Sequence, residues 1–473
     1  MPAAFEVRFA DRRVESLTRA VGAAVAARGG RAHLVGGAVR DAALGRAVDE
    51  VDLECFGIPV DELHALVADI VPVTLVGASF GVLKARGVPI DVSVPRTERK
   101  TGHGHRGFTV DADPFLDPAV AAARRDFTIN AVAYDLIDDR IVDPHDGLGD
   151  LRRGILRHTS GQFAEDPLRV LRGMPFIARF DLTPDPATIA LCRSIDPEGL
   201  AAERIFDEWR KLLLRGTRIG AGLEFLRATD WIRHTPELAA LVDCPQDPSW
   251  HPEGDVFVHT GHVLDQFALR RIGDDEEDLV VGLACLCHDL GKPATTRFED
   301  GRWRSPGHEQ AGIEPTRSLL GRMTNRRDLV EDVVVLVAEH LKPDQLFQAG
   351  AGPAAVRRLA ARVGRVDRLL RVARADRDGR PPLPTDDFPA ATWLVETAAA
   401  LDVLDAPPAP LVLGRHLLAE GLEAGPSFRP LLDACYEAQL DGRIATVEDG
   451  LALVRDLVGR TTSTTSPDGR SSI

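Results

Sequence analysis

The sequence predicts a small α+β head that is followed by a longer all-α body. From about residue 31 to residue 134, short apolar runs such as HLVGG and PIDVSV alternate with glycine and proline, which is typical of a small mixed sheet. From about Leu151 onward, apolar residues recur at three-to-four-residue spacing, as in RIFDEWRKLLL, which indicates amphipathic helices. The final segment GRTTSTTSPDGRSSI has almost nothing to bury, and we expect a disordered tail there.

Composition restricts the classes of function. The chain has 473 residues with 57 Lys+Arg and 72 Asp+Glu, so its formal charge is −15, which excludes a uniformly basic nucleic-acid coat. Residues 151–220 nevertheless carry twelve Arg+Lys and nine Asp+Glu, which predicts a local basic groove.

Six scattered cysteines without a CxxC pair fit a reducing compartment. With no signal peptide or membrane span, we expect a soluble cytoplasmic protein without a membrane partner.

A glycine pair lies where the first strand-like run meets a helix-like stretch, in LVGGAVRDAALGR. Gly36 and Gly37 would let backbone N–H groups approach a phosphate closely, and Arg40 could clamp the phosphate charge. This pattern is common before helices. A phosphate-binding turn and an ordinary strand-to-helix turn therefore remain equally open at this point.

Carboxylates follow this turn at strand-like spacing. Glu50 and Asp52 lie two residues apart in DEVDLECFG, so on a strand they share a face and could bind divalent metal ions together. Asp91, in the strand-like run PIDVSV, could supply a third ligand. Two Mg²⁺ ions held in this way would activate a hydroxyl and stabilise a leaving pyrophosphate. The sequence therefore predicts a nucleotidyl-transfer site with Glu50, Asp52 and Asp91 as catalytic residues.

Three motifs occur in a fixed order: GGAVRDAALGR, RRDFTINAVAYD and AEDPLRVLR. Together they resemble the class II tRNA nucleotidyltransferases (CCA-adding enzymes) and bacterial poly(A) polymerases, over about the first 215 residues. The resemblance implies a polymerase-beta-like palm and Mg²⁺ as the cofactor. It also implies that CMP and AMP are transferred from CTP and ATP to the 3′ end of tRNA, with release of pyrophosphate.

The resemblance also implies roles for individual residues. Asp52 would bind metal, and Asp166 and Arg169 would read the base edge of CTP or ATP. Aspartate accepts from an exocyclic amino group and arginine donates to a ring nitrogen or carbonyl, which accommodates C and A and disfavours G and U. The nucleotide-binding residues implied in this way are Gly36, Gly37, Arg40, Arg125, Asp126, Asp166, Arg169 and Arg172.

Two positions depart from the family pattern. The metal motif of the family is usually Asp-x-Asp, but Glu50 stands at its first position, and a longer side chain cannot place its oxygens where aspartate would without a shift of backbone or metal. Relatives typically carry an arginine where this chain has Pro175, and proline also removes a helix hydrogen bond and can kink the helix. A slow, altered or inactive transferase is therefore an open alternative.

Histidines and aspartates recur at wide spacing in the second half of the chain. Neutral imidazoles and carboxylates that converge from separate helices suit a transition-metal ion such as Ni²⁺ or Mn²⁺, which activates water against a phosphoester. The pattern, with HDLGK at its centre, resembles HD-type metal phosphohydrolases, a domain that some CCA-adding enzymes carry with phosphatase and 2′,3′-cyclic phosphodiesterase activity. The candidate metal ligands are His259, His288, Asp289 and Asp376. His308 and His340 are either further ligands or ordinary helix-end histidines.

The predicted domain order follows from these motifs. It comprises a nucleotidyltransferase head (1–150), a helical neck with base recognition (151–230), an HD domain (231–378), a helical tRNA-contacting region (379–458) and a disordered tail (459–473). Two alternatives stay open. One is a poly(A) polymerase or an enzyme that adds only part of CCA; the other is an HD phosphohydrolase on RNA 3′ ends with a degenerate head.

Overall fold

The computed structural model describes residues 5–76, 82–100, 108–385 and 387–463. By its internal contacts the chain divides into two compact units. The first unit comprises Met1–Ala239 with Arg322–Thr324, and the second comprises Ala240–Gly321 with Asn325–Ile473. Among the described helices, none combines the length and the apolar character that crossing a membrane requires.

The first unit begins with a sheet-containing head and ends in helices. Its strands are β1 (Arg31–Val35), β2 (Val51–Phe56), β3 (Val73–Val76), β4 (Val82–Ala85), β5 (Ile90–Ser93), β6 (Arg96–Lys100), β7 (Phe108–Ala112), β8 (Ala133–Asp135), β9 (Arg140–Val142), β10 (Ile155–Leu156) and β11 (Thr183–Pro184). Its helices are α1 (Arg12–Ala26), α2 (Gly37–Ala43), α3 (Val60–Ile70), α4 (Pro118–Ala122), α5 (Gly147–Arg153), α6 (Leu168–Phe180), α7 (Pro186–Arg193), α8 (Ala202–Arg215), α9 (Ile219–Ala228) and α10 (Pro236–Ala239). Short 3₁₀ turns span Thr128–Asn130, Gly161–Glu165 and Trp231–His234.

Seven strands of the head form one mixed sheet in the order β3-β4-β5-β2-β1-β8-β9. The pair β2–β5 is parallel and the other pairs are antiparallel. The first helix starts where Asp11 accepts hydrogen bonds from the backbone N–H groups of Arg13 and Val14, and it packs on α3 and β1. Its apolar side chains join the buried residues of β1 and β2 in one core. The sequence prediction of a mixed-sheet head followed by helices is confirmed.

The first unit extends to Ala239, so the predicted end of the neck at residue 230 falls inside it. The physical reason is Trp231, which is buried and donates its indole N–H to the carbonyl of Cys192 over 2.9 Å. The 3₁₀ turn that contains Trp231 also contacts α9 and α10. This segment therefore completes the packing of the neck helices.

The second unit is almost entirely helical. Its helices are α11 (Val256–Ala268), α12 (Asp275–Cys287), α13 (Lys292–Thr295), α14 (His308–Ala311), α15 (Ile313–Gly321), α16 (Arg327–Glu339), α17 (Lys342–Gln348), α18 (Pro353–Val363), α19 (Val366–Asp378), α20 (Pro389–Ala400), α21 (Gly414–Ala419), α22 (Phe428–Leu440) and α23 (Val447–Ser463). A single hairpin, β12 (Arg297–Glu299) and β13 (Arg302–Arg304), interrupts them. Helix α12 contacts α11, α16 and α19, and most of its residues are buried, because it lies at the centre of these helices.

The predicted disordered tail begins too early. Residues 459–463 form the end of α23, and residues 464–473 lie outside the described residues. Extending an existing helix adds one hydrogen bond for each residue that is fixed, so polar residues can continue a helix that earlier residues have nucleated. Composition alone could not place that boundary.

The close contact of α6 with α9 generates a test of packing. A Cβ atom at Gly173 would lie 2.5 Å from Cε1 of Phe225, whose ring is 1% exposed. We expect Gly173→Ala to lower the free energy of unfolding by about 1–3 kcal/mol, since the buried ring cannot move aside freely. Urea denaturation measures this. Gly161→Ala is the matched control, because its Cβ would meet nothing within 4 Å; equal effects of the two substitutions would contradict the packing argument.

Candidate functional site

The first unit contains a cavity of about 770 Å³ between the sheet face and the helices α6 and α8. All eleven residues that the sequence predicted for the transferase line this cavity: Gly36, Gly37, Arg40, Glu50, Asp52, Asp91, Arg125, Asp126, Asp166, Arg169 and Arg172. Ten Arg or Lys and seven Asp or Glu side chains form its wall. In a chain whose net charge is −15, the wall of this cavity is therefore locally cationic. We call it the transferase cavity.

The glycine pair forms the turn from β1 into α2. Gly36 has φ 69°, a backbone conformation that favours glycine. A Cβ atom there would lie 3.2 Å from Nη1 of Arg125 and 3.7 Å from Oδ2 of Asp52. Glycine thus lets the backbone, a guanidinium and a carboxylate meet at one point of the wall.

Two aspartates face each other across the parallel strands. The register pairs Asp52 of β2 with Asp91 of β5, and Lys84 of β4 pairs with Asp91 on its other side. Lys84 Nζ forms an ion pair with Asp91 Oδ2, which raises the pKa of Lys84. Residues in register point to one face of a sheet, so a row of charged groups crosses the cavity wall.

Further charges surround Asp52. Burial raises the pKa of Asp52 above its ordinary value, Arg125 opposes this shift, and Asp91 and Glu50 add to it. Mutual repulsion among three carboxylates is what a divalent cation relieves, so this donor set fits Mg²⁺.

A fourth carboxylate, which is not among the residues predicted from the sequence, also lines the cavity. Glu54 lies two residues after Asp52 on β2, and its Oε2 is 3.7 Å from Nη2 of Arg125. Glu50 immediately precedes β2 and lines the cavity as well. Side chains two residues apart on a strand point to the same face, and this alternation could have indicated Glu54. The family motif has only two carboxylates, so the resemblance assigned no role to Glu54.

Arg40 lines the cavity but is almost fully buried. Its Nη1 donates to Oδ1 of Asn130 over 2.7 Å, and its guanidinium lies 4.5 Å from the ring centroid of Phe180. Burial lowers the pKa of Arg40, and Asp41 partly compensates. The side chain therefore supports the cavity wall from behind through hydrogen bonds and a cation–π contact.

The buried carboxylate of Asp126 forms an ion pair with Arg172, whose side chain is 35% exposed. Nε of Arg172 donates to Oδ2 of Asp126 over 2.7 Å, and Oδ1 of Asp126 accepts from Phe127 N and from Asn130 Nδ2. Burial alone would raise the pKa of Asp126, but Arg172 and these donors hold it below its ordinary value. The pair connects the head to α6, and Glu208 of α8 lies 3.9 Å from Arg172.

Asp166 and Arg169 are both held by fixed partners at the start of α6. Oδ1 of Asp166 accepts from Leu168 N over 3.1 Å, and its Oδ2 accepts from Arg204 over 2.8 Å. Arg169 donates to the carbonyls of Gln162 and Arg124 over 2.7 and 2.8 Å, which fixes the plane of its guanidinium. Both side chains are thus positioned before any ligand binds.

The helix α6 continues through Pro175 to Phe180. The proline ring lines the cavity, so this part of the wall carries no charge. Lys211 and Arg215 of α8 contribute cationic side chains to the same cavity. Sequence analysis did not single out either residue, because the pattern of α8 is also that of an ordinary solvated helix.

Four buried histidines of the second unit converge; we call them the histidine cluster: His259, His288, His308 and His340. Each Nδ1 contacts an oxygen that can only accept: Glu253 Oε1 for His259 (2.8 Å), and the carbonyls of Cys285, Ser305 and Val337 for the others (2.8, 2.8 and 2.7 Å). Each Nδ1 must therefore donate, which leaves a lone pair on each Nε2 of a neutral ring.

The lone pairs of the histidine cluster face one another. Nε2 of His259 and Nε2 of His288 are 3.4 Å apart, and those of His308 and His340 are 3.3 Å apart. When both rings are neutral, two lone pairs at such distances repel. A metal cation that both nitrogens ligate removes this repulsion, so the residues present fit a metal ion.

Asp289 lies between the two histidine pairs. Its Oδ2 is 3.2 Å from Nε2 of His288, and its Oδ1 is 3.3 Å from Nε2 of His308. Asp376 completes the first pair, with Oδ1 3.1 Å from Nε2 of His259. Asp289 therefore belongs to two candidate ligand groups, one with His259 and His288 and one with His308 and His340.

The pKa shifts of His340 and Glu253 favour metal binding by this cluster. Burial together with His288 and His308 lowers the pKa of His340 to about 4, so this imidazole is neutral at physiological pH. Burial acts to raise the pKa of Glu253, but the hydrogen bonds of His251 and His259 outweigh it and lower the pKa to about 2. An ionised Glu253 that accepts from Nδ1 of His259 fixes the ring and increases its basicity.

The structure brings His308 and His340 to the candidate metal site. Glu253 and Lys292 were not predicted. Lys292 is buried, with Nζ 2.7 Å from Asp289 and 2.6 Å from Gln246 Oε1. The HDLGK segment was a signal for the lysine, whereas nothing local marks Glu253, because it precedes α11 in an irregular stretch.

Two known domain families match this chain, and each covers part of one site. The poly(A) polymerase head domain family matches residues 32–157, which include the carboxylates and the glycine turn. The HD domain family matches residues 257–377, which include all four histidines of the cluster.

Solved structures share this fold. The Bacillus stearothermophilus CCA-adding enzyme, determined in complex with CTP, aligns with a TM-score of 0.62 at 21% identity and covers 95% of this chain and 98% of its own. The Thermotoga maritima CCA-adding enzyme, complexed with tRNA, aligns with a TM-score of 0.58 at 18% identity over 94% and 96% of the two chains.

Two relatives share a higher sequence identity with this chain than these solved structures do. A multifunctional CCA protein of Xylella fastidiosa (strain M23) is 36% identical over 391 residues, which are 80% of this chain and 90% of that protein. A multifunctional CCA protein of Xanthomonas campestris pv. campestris (strain B100) is 35% identical over 438 residues, 89% of this chain and 99% of that protein. The chain therefore belongs to the family of multifunctional CCA proteins, nucleotidyltransferases that combine a poly(A) polymerase head domain with an HD domain.

Proposed function

We propose that the chain adds CMP and AMP to the 3′ end of tRNA, using CTP and ATP and releasing pyrophosphate. The observation that carries this proposal is the register pair of Asp52 and Asp91 on the wall of a cationic cavity, beside the Gly36–Gly37 turn. The relatives are named multifunctional CCA proteins, and the neighbours of similar fold were solved with CTP, ATP or tRNA, which supports these substrates.

The residues of the cavity suit this reaction. The terminal 3′-hydroxyl oxygen attacks the α-phosphorus and loses its proton, a new ester bond forms, and the α–β phosphoanhydride bond breaks to release pyrophosphate. Glu50, Asp52 and Asp91 would hold Mg²⁺, which neutralises developing charge and lowers the pKa of the hydroxyl. Arg125 and the backbone N–H groups of the Gly36–Gly37 turn would bind the triphosphate.

Base selection would fall to Asp166 and Arg169. A carboxylate has about four lone-pair sites, so Asp166 can accept from the amino group of C or A while it also accepts from Leu168 N and Arg204. Arg169 is oriented by two backbone carbonyls, which favours a rigid template over a mobile contact.

Product length separates this proposal from its closest alternative. An enzyme that adds only A, only CC or a poly(A) tail would use the same residues. Acceptor tRNAs that end in N, NC and NCC, with labelled CTP and ATP offered separately, distinguish these cases. We expect CTP incorporation on the first two acceptors and ATP incorporation on the third.

Removing the central carboxylate tests the transferase site. We expect Asp52→Asn to reduce label incorporation at least about 100-fold, since it removes a metal ligand worth several kcal/mol in the transition state. Asp69→Asn, on the exposed face of α3, is the matched control and should retain parental activity. Absence of incorporation by the parent protein with Mg²⁺ would refute the transferase proposal, and full activity of Asp52→Asn would refute the assignment of the site.

We further propose that the second unit is a metal-dependent phosphohydrolase that opens 2′,3′-cyclic phosphates at RNA 3′ ends. The convergence of four Nε2 lone pairs on Asp289 and Asp376 carries this proposal. Water adds to phosphorus and one of the two ester bonds opens, which leaves a monophosphate. Mixed nitrogen and oxygen donors suit Ni²⁺ or Mn²⁺, which would supply an activated water.

The arrangement of Asp289 favours two metal ions rather than one. Its two oxygens face different histidine pairs, so each ion would be held by one pair and share the carboxylate. Lys292, within 2.7 Å of Asp289, would balance negative charge at this point.

Metal content tests the shared carboxylate. We expect the purified protein, loaded with Mn²⁺ or Ni²⁺ and dialysed, to retain about two ions per chain and the His308→Ala variant about one, as measured by elemental analysis. His64→Ala, on the exposed face of α3, serves as the control. One ion in both the parent and His308→Ala would refute the two-ion site, and no retained metal in the parent would refute the metal site altogether.

A further inference from the structure

An exposed hairpin in the second unit has a surface that the two proposed sites do not use. Among the described strands, β12 and β13 pair only with each other, and the register places Phe298 directly opposite Trp303. Their ring centroids are 5.1 Å apart, and Phe298 is 59% exposed. Trp303 is half-buried, so the pair exposes mainly the ring of Phe298, which on a two-stranded ribbon contributes little to a core.

The other face of the hairpin carries three arginines and one carboxylate, Glu299, which stands opposite Arg302. Arg297 and Arg304 stand directly opposite each other, an arrangement of like charges that destabilises a strand pair. Arg302 forms no ion pair within the described part of the chain, whereas Arg297 and Arg304 contact only the exposed carboxylates of Glu299 and Asp300. A bound polyanion would relieve the repulsion, so the charge pattern points to phosphate groups.

The hairpin connects two residues of the metal site. It begins just after α13, which carries Lys292, and ends just before His308. Its base is closed by a hydrogen bond of 2.7 Å between Thr296 Oγ1 and Ser305 Oγ. The carbonyl of Ser305 accepts from Nδ1 of His308, so the end of the hairpin directly orients a candidate metal ligand.

A second exposed aromatic side chain is close in sequence to the same site. Trp250 is 61% exposed and precedes His251, whose ring lies 4.6 Å from that of His259. The segment of Trp250 contacts the hairpin base through Cys244 Sγ and Thr296 Oγ1, 3.7 Å apart. Exposed aromatics thus occur on both segments that meet at this edge of the histidine cluster.

We propose that the hairpin of residues 297–304 binds the unpaired nucleotides at the 3′ end of an RNA and directs its terminal phosphate to the histidine cluster. This rests on the phosphohydrolase proposed above. Unpaired bases expose faces that stack on aromatic rings, and arginines bind the phosphates between them, which is the combination that single-stranded RNA sites use. A base-paired RNA would offer no such faces to Phe298 and Trp303.

Two substrates separate binding by the hairpin from the chemical step. One is cytidine 2′,3′-cyclic monophosphate, which has no neighbouring nucleotides, and the other is a short oligoribonucleotide with a 2′,3′-cyclic phosphate end. Both are assayed with the metal-loaded full chain and without nucleoside triphosphates. We expect Phe298→Ala to raise the KM for the oligonucleotide about tenfold, the loss of one base stack, while kcat/KM for the mononucleotide changes by less than about twofold.

Arg302→Glu tests the charge independently of the aromatic pair. We expect it to raise the KM for the oligonucleotide and to make that KM less dependent on salt, because fewer counterions are released on binding. Leu269→Ala is the matched control in the same unit, since Leu269 is 75% exposed and lies at the end of α11. It should leave the kinetic constants for both substrates unchanged.

Each outcome decides the proposal. An unchanged oligonucleotide KM in both Phe298→Ala and Arg302→Glu overturns it. If Phe298→Ala also lowers kcat/KM for the mononucleotide, the substitution has distorted His308 through Ser305. The oligonucleotide KM of Arg302→Glu then decides the proposal by itself. If the parent hydrolyses neither substrate, the phosphohydrolase proposal has failed, and photo-crosslinking of a 4-thiouridine oligonucleotide tests the hairpin. Crosslinks within residues 297–304 support the hairpin site, and crosslinks only elsewhere overturn it.

Discussion

The hydrogen bonds of one buried carboxylate, Asp126, hold the transferase cavity together. Its Oδ2 binds Arg172 of α6, and its Oδ1 binds Asn130, whose own Oδ1 accepts from Arg40 of α2. The carboxylate of Asp126 is buried, so its charge depends on these partners, and removing one of them would destabilise the fold. Three separate sequence motifs are therefore fixed relative to one another by a single chain of polar contacts.

The same constraint governs the histidine cluster. Acceptors on the Nδ1 atoms of the four imidazoles take up that N–H, so in the neutral form of each ring Nε2 carries the lone pair. Glu253 does this for His259 with a full charge, while backbone carbonyls do it for the other three. The Nδ1 contacts thus select the tautomer that metal binding requires, and the repulsion of facing lone pairs is relieved when a cation binds.

Charge is distributed unevenly over this acidic chain. The wall of the transferase cavity has an excess of cations although the net charge is −15. The hairpin of residues 297–304 is a second local concentration of arginine, and it lies in the chain next to the HD metal site. Such local patches attract phosphates at short range, where screening by salt is weak, while the remaining surface stays acidic.

The sequence by itself determined the mixed-sheet head, the helical body and the order of the chemical motifs, because these follow from short-range periodicity and spacing. It also identified eleven of the residues that line the transferase cavity and half of the histidine cluster. Only the tertiary structure decided that His308 and His340 face Asp289, that Arg40 and Arg172 bind Asn130 and Asp126, and that Glu54 lines the cavity. The physical reason is that these contacts join side chains from distant segments, and their partners depend on how helices and strands pack rather than on any local pattern.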